Sequence, residues 1–325
     1  MKTIRKIAIH ALAIWFAALA VNAVAQTYPA RQIRWVVSYP PGGGTDFLAR
    51  TVGNQIAKQI SQSVVIDNRP GGAGVIASET VARSPGDGYT VFTGDNGTLV
   101  YNAALFKKIP YAPLNDFAPV GLMARFPLIL LANNDAPFAN AQALIEQIKR
   151  NPAKLSYASP GVGSPHHLAM ELFKQRAGLF VVHVPYRGSA GAIQDLISGQ
   201  IPLFVADSAA ALPMIRAKKL KPVAVFSKNR VAALPDTPTF VELGYRDVEA
   251  YGWQGLVAPA GTPKDVVAKL NTEMVKAIQA PEIAGKLVEF GLELTPSTPD
   301  EMGAYLASET KLWHQLIKER GLTLD

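Results

Sequence analysis

The feature that most constrains this chain is a recurrence. A short apolar stretch runs into a glycine-rich turn, and the turn runs into a stretch of helical periodicity. Ile33-Arg34-Trp35-Val36-Val37 leads into Pro40-Pro41-Gly42-Gly43-Gly44, after which Leu48, Val52, Ile56 and Ile60 recur at helical spacing. Val64-Val65-Ile66 leads into "NRPGGAG" and a helix near Val75 to Arg83, and "GYTVFTGDNGT" is a third strand with a glycine-rich exit. The second half repeats the pattern in "KLSYASPGVGSPHHLAMELFKQ", where Leu168, Leu172 and Phe173 mark the buried helix face, and again in "VVHVPYRGSAGAIQDLISGQ" and "IPLFVADSAAALPMI". Strands alternating with helices predict an α/β fold with a mainly parallel sheet. In such sheets ligands bind beyond the carboxyl ends of the strands, where these turns lie.

About 300 residues beyond the leader exceed what one core usually fills, so two α/β domains facing each other across a cleft are expected. "VGLMARFPLILLANN" and "VEAYGWQGLVAPAGTP" read as long strands crossing between them. Domain 1 is then discontinuous, 26–127 with 248–325, and domain 2 is 128–247. The C-terminal helices have clear starts at Thr262-Pro263 and at Thr298-Pro299-Asp300-Glu301, a capping box with proline in the first turn.

Residues 1–25 read as a secretory signal peptide. Lys2, Arg5 and Lys6 precede the apolar run Ile7 to Val21, and Ala23-Val24-Ala25 supplies small residues for cleavage before Gln26. The run is shorter than the ~20 apolar residues of a spanning helix. With no cysteine for disulfides or lipid attachment, the chain is expected in the periplasm, unanchored. Removing three cations from a formal net charge of +7 leaves +4, a mildly basic balance suited to small anions. No basic run tracks a phosphate backbone, so nucleic acid is not expected as a partner. Lys218-Lys219-Leu220-Lys221, the densest basic cluster, reads as a helix-end cap.

The first glycine loop lacks the Lys-Ser/Thr of a P-loop and the third glycine of a dinucleotide fingerprint. Asp46 places a carboxylate in the first helical turn, which disfavours phosphate and leaves a ligand carboxylate or other polar tip. The plainer alternative is that Asp46 caps the helix while the glycines make a tight turn. Neither a Gly-x-Ser-x-Gly elbow nor a His-Glu-x-x-His pair exists. His166 and His167, about 100° apart on a helix, are no metal pair, and one of them reaches the cleft or both pack elsewhere. His183 is expected to be a buried structural histidine, and His314 to sit on the surface of the last helix.

"YPPGGGTDFLAR", "VIDNRPGGAGVIASETVARSPGDGYT", "NAALFKKIPYAPLNDFAPVG", "SYASPGVGSPHHLAMELFK", "HVPYRGSAGAIQDLISGQIPLFVADS" and "LPDTPTFVELGY…GWQGLVAPAGTP" resemble the Bug, or TctC-like, family. These are extracytoplasmic solute receptors of tripartite tricarboxylate transporters, and the likeness covers the mature chain. It departs at Tyr39, where phenylalanine is common, at Ala112, where aspartate is common, and in the glycine order of "NRPGGAG". The resemblance implies a type II periplasmic binding protein that closes on a small organic acid, partly through ordered waters, with no chemistry, metal or cofactor. It implies a first ligand loop of Pro41, Gly42, Gly43, Gly44, Thr45 and Asp46, with Tyr39 at the rim and Asn96 after the third strand. The second loop is Ser159, Gly161, Gly163, Ser164 and His167, and Tyr186, Gly188, Ser189 and Asp207 complete the wall. Dicarboxylates, tricarboxylates, acidic amino acids and aromatic acids all fit as ligands for an expected monomer that hands its cargo to membrane subunits. Two other functions stay open: a periplasmic serine hydrolase using Ser164 or Ser189, and a receptor signalling to a sensor kinase.

Overall fold

The computed structural model describes residues 28–324. The leader expected over residues 1–25 lies outside them. Among the described residues no helix is long and apolar enough to cross a membrane.

The first part of the chain runs β1 (Ile33–Val37), α1 (Gly44–Ile60), β2 (Val64–Asn68), α2 (Val75–Ala82) and β3 (Thr90–Asp95), then a π-type turn, Gly97–Tyr101, that continues into α3 (Asn102–Leu105). A long strand, β4 (Phe117–Asn133), leads to α4 (Ala141–Arg150), β5 (Ser156–Ser159), α5 (Pro165–Ala177), β6 (Val182–Pro185), α6 (Ser189–Ile197), β7 (Leu203–Asp207), α7 (Ser208–Arg216) and β8 (Leu220–Val225). The chain closes with β9 (Tyr251–Pro259), α8 (Lys264–Gln279), α9 (Pro281–Glu289), β10 (Glu293–Leu294) and α10 (Pro299–Arg320).

The strands join in the order β2-β1-β3-β9-β4-β7-β5-β6, with β8 and β10 also on β4. The expected parallel sets are present: β1 lies parallel to β2 and β3, and β5 to β6 and β7. Between them stand the antiparallel β4 and β9. β4 belongs to both halves. Phe117 to Pro127 pair with β9, and Leu128 to Ala132 pair with β7. The partner changes at Pro127, which has no N–H to donate to a ladder. The expectation that the second long stretch also crosses as a strand does not hold, because β9 pairs only with β3 and with the part of β4 up to Pro127. The return path runs through the irregular segment 226–250, held where the Phe226 N–H donates to Leu128 C=O and the Ala250 N–H to Phe226 C=O.

Each half has its own packed face. Trp35, Leu48 and Val52 meet Leu270 and Met274 in the first, and Ile129, Phe204 and Leu212 form the second. A third cluster runs under both halves, from Phe92 through Trp253 and Trp313 to Tyr157 and Phe173. It is sealed by α10, which starts with the predicted Thr298/Glu301 capping box.

Candidate ligand-binding site

A cavity of about 210 Å³ lies where β4 changes partner, lined by residues of both halves. From the first come Tyr39, Gly44, Thr45, Asp95, Asn96, Phe126, Gly252, Trp253 and Gln254; from the second, Leu128, Pro165, His166, Asp207 and Ala209. Three helices of nine residues or more, α1, α5 and α7, present their first residues to it. Helix starts carry unpaired N–H groups and the positive end of the helix dipole. The first intrahelical bond of α1 runs from Phe47 N–H to Gly43 C=O, so the amides of Gly44 and Thr45 precede it. Among the described residues no lysine or arginine lines the cavity. An anion held here is therefore held by amides and hydroxyls, the pattern of a helix-start anion site.

Sequence and geometry explain each wall. A side chain at Gly44 would have to displace Phe126, because a Cβ would stand 2.9 Å from Phe126 Cζ. Thr45 Oγ accepts from Gln254 Nε2, which leaves its own O–H free to donate. Asn96 is fully used: Nδ2 donates to Tyr101 Oη and Tyr251 C=O, and Oδ1 accepts from the Trp253 N–H. Asp95 accepts from Tyr39 O–H at 2.6 Å and from both the N–H and the O–H of Thr98. Asp207 is the N-cap of α7, with Oδ1 accepting from the Ala210 N–H, while Oδ2 stands 3.4 Å from His166 Nε2. That distance suits an ion pair, yet neither ring nitrogen of His166 makes a hydrogen bond. Burial raises the Asp207 carboxyl, but His166 and the α7 amides outweigh it and hold the group below the usual carboxylate range.

The family model for the tripartite tricarboxylate transporter family receptor, TctC, matches residues 48–322. This chain belongs to that receptor family. BugT of Bordetella pertussis is 34% identical over the whole of both chains. R. palustris Rpa4515, solved with adipate, is 34% identical with a TM-score of 0.81, covering 91% of this chain and 99% of its own. MatC (Rpa3494) from Rhodopseudomonas palustris, with bound malate, is 30% identical with a TM-score of 0.77, covering 89% and 100%. The receptor's fold is thus the two-domain periplasmic binding protein fold expected from the sequence.

Of the site residues expected in this receptor, Tyr39, Gly44, Thr45, Asn96 and Asp207 line the cavity. The rest do not. Pro41, Gly42, Gly43 and Asp46 lie off the lining, and Asp46 faces away: it accepts from the Gly42 N–H, Arg50 Nε and Asn68 Nδ2, each at 2.9 Å. The plainer reading of Asp46 holds only for the turn: the N-cap of α1 is Gly43 with no side-chain cap bond, and Asp46 locks the glycine turn from behind. Burial raises its carboxyl, but these three donors outweigh that and lower it. Gly163 points into the core, where a Cβ would stand 2.6 Å from Leu105 Cδ1. Ser164 caps α5, accepting from the His167 N–H and donating to Gly161 C=O, so it is not paired as a nucleophile.

The histidine in the cavity is His166, not His167. His167 is 3% exposed; its Nδ1 accepts from the Gly163 N–H, and its ring stacks on His183 with centroids 3.9 Å apart. Burial, then His183, pushes His167 down to about 3, and burial pushes His183 down to about 4. Ser159, fully buried, bonds His183 Nε2 at 2.7 Å behind the cavity. Tyr186 donates to Asp195 at 2.6 Å, and Gly161, Gly188 and Ser189 complete loops outside the lining. His314 is not a plain surface residue, because its Nε2 bonds Val100 C=O.

Sequence reasoning left open which of His166 and His167 reaches the cleft, and it missed Asp95, Phe126, Leu128, Pro165, Ala209, Gly252, Trp253 and Gln254. One signal was available for Gln254, the single side-chain amide in the apolar run Tyr251–Pro259.

Proposed function

We propose that this receptor captures a small organic carboxylate in the periplasm, as a monomer, and delivers it to the membrane subunits of a tripartite tricarboxylate-type transporter. The observation that carries the reading is the meeting of three helix starts at one cavity with no cationic side chain in its wall. Such a wall binds a carboxylate through amides, waters and the Thr45 hydroxyl without the deep charge that would retain it. The relatives solved with adipate and malate support the same class of ligand. We place the first domain at 26–127 with 248–325 and the second at 128–247. On this division closure of the two halves buries the ligand and presents a new surface to the membrane subunits, a population shift driven by differential affinity.

The test is thermal stabilisation of the mature protein by a panel of carboxylates that includes adipate, malate, citrate, glutamate and benzoate. A ligand at about 100 times its Kd adds roughly 2.7 kcal/mol, an easily read shift. The best ligand is then compared with its methyl ester or amide. Loss of binding on neutralising the carboxylate supports the reading, and a derivative that binds as tightly as the acid refutes it. Loss of uptake on deleting the receptor gene, with the membrane subunits intact, tests delivery.

A further inference from the structure

We infer that this cavity selects, among organic acids, one that also carries a hydrogen-bond donor, a hydroxyl or ammonium group, and that Asp207 is the specificity-determining residue that receives it. The inference rests on the carboxylate-receptor reading above and adds the chemistry of the ligand's other end.

The cavity offers a ligand both donors and unpaired acceptors. Donors come from the start of α1 and from Thr45, whose oxygen is already occupied by Gln254 Nε2. Acceptors come from three side chains. Asp207 Oδ2 faces the cavity with no hydrogen bond from His166. Gln254 is 5% exposed, and its Oε1 is buried without a partner. Both ring nitrogens of His166 are buried without a hydrogen-bond partner, so a neutral ring leaves one of them as an unpaired acceptor. A buried acceptor left unpaired is costly, and a ligand donor is what satisfies it.

Charge points the same way. Among the lining residues Asp95 and Asp207 are carboxylates, and none is lysine or arginine. Asp95 is already occupied by the Tyr39 and Thr98 donors, so Asp207 is the acid free to receive a ligand group. One ligand carboxylate has the helix starts to meet. A second carboxylate placed near Asp207 meets a like charge at close range. An ammonium or hydroxyl there meets an acceptor instead.

The experiment is titration calorimetry of the mature protein with matched pairs of acids: malate and aspartate against succinate, glutamate against glutarate, and mandelate against phenylacetate. The donor-bearing member of at least one pair is expected to bind about tenfold tighter or more than its plain counterpart, as for a hydrogen bond to a charged group. In Asp207→Asn that ratio is expected to fall to about twofold or less. Asparagine is also a good N-cap, so α7 keeps its start, and a melting curve checks the fold. Three results overturn the inference: plain acids that bind as well as or better than their partners in every pair that binds, a ratio unchanged in Asp207→Asn, or proton uptake on binding a plain diacid. The last would make His166 a cation for a second carboxylate. If no acid of any pair binds, the receptor reading of this cavity fails, and the inference fails with it.

Discussion

The stacked pair His167 and His183 makes this fold acid-sensitive in a way that can be isolated. Both rings are packed behind the cavity, and their folded-state values of about 3 and about 4 lie below the unfolded value near 6.5. The sign follows directly. Above pH ~6.5 both forms are neutral in either state, and the pair contributes no pH dependence. As pH falls below 6.5 the unfolded chain takes up protons that the folded chain refuses, so stability falls until the folded values are reached. At pH 5 each ring accounts for about 2 kcal/mol, and the pair for on the order of 3 once the half-burial of His183 is allowed for. Other groups titrate in the same window; burial raises the Glu309 carboxyl, for example. The measurement is therefore a difference: urea midpoints at pH 7.5 and pH 5 for the wild type and for His183→Gln. The wild-type loss between the two pH values should exceed the variant's by about 1–2 kcal/mol. Equal losses would mean that the His167–His183 stack is not dry and neutral, and the packing account of the second loop would be wrong.

Gly163→Val should lower stability by about 3 kcal/mol or more while leaving ligand affinity in the folded fraction unchanged, because it meets Leu105 at a φ of +73 rather than the ligand; urea unfolding and calorimetry separate the two effects. Thr45→Val keeps the shape and removes the donor at the start of α1, so affinity for the best acid should drop by about 1 kcal/mol, or up to ~3 if a charged oxygen is left unpaired. That penalty should shrink for the ester of the same acid. Gly44→Val should push Phe126 into the cavity, and calorimetry should show affinity falling by about 2 kcal/mol or more with only a modest change in melting temperature.

The fold was legible because its signals are local. β1, its glycine turn and α1 lie within one stretch of sequence, and the capping box of α10 is a four-residue pattern that the structure reproduces. The site was legible only where it is local in the same way, at Tyr39, Gly44, Thr45, Asn96 and Asp207, each at or after the exit of a strand and before the helix that follows or in its first turn. The missed residues come from sheet register and helix phase. Gln254 reaches the cavity because β9 sets it opposite Asp95, and Leu128 because β4 sets it opposite Asp207. Those pairings depend on where β4 changes partner. His166 and His167 differ only by one step of helix rotation, and the phase of α5 turns His166 to the cavity and His167 to the core. The glycines of the second loop misled for another reason. A glycine signals a backbone need, and at Gly163 the need is a positive φ against Leu105, not approach to a ligand.

Both walls of the cavity are fastened to one helix. Trp253, in the first wall, donates from Nε1 to Glu309 of α10, which also accepts from Trp313 Nε1 one turn on. In the second wall, α5 starts with Pro165 and His166 at the cavity and carries Glu171 farther along, where Arg320, at the end of α10, donates to Oε2 at 2.8 Å. Lys174 and Tyr157 hold the other oxygen of Glu171, so the carboxylate is fully paired although only 3% exposed. A buried ion pair of this kind adds little net stability, but losing one partner strands a charge, so the contact resists separation. The apolar cluster that runs under both halves reinforces the same side. On the closure proposed above, motion of the halves is expected to pivot on the α10 side, with β4 and segment 226–250 as the links between them. The starts of α1, α5 and α7 are then the parts that approach one another when a ligand enters.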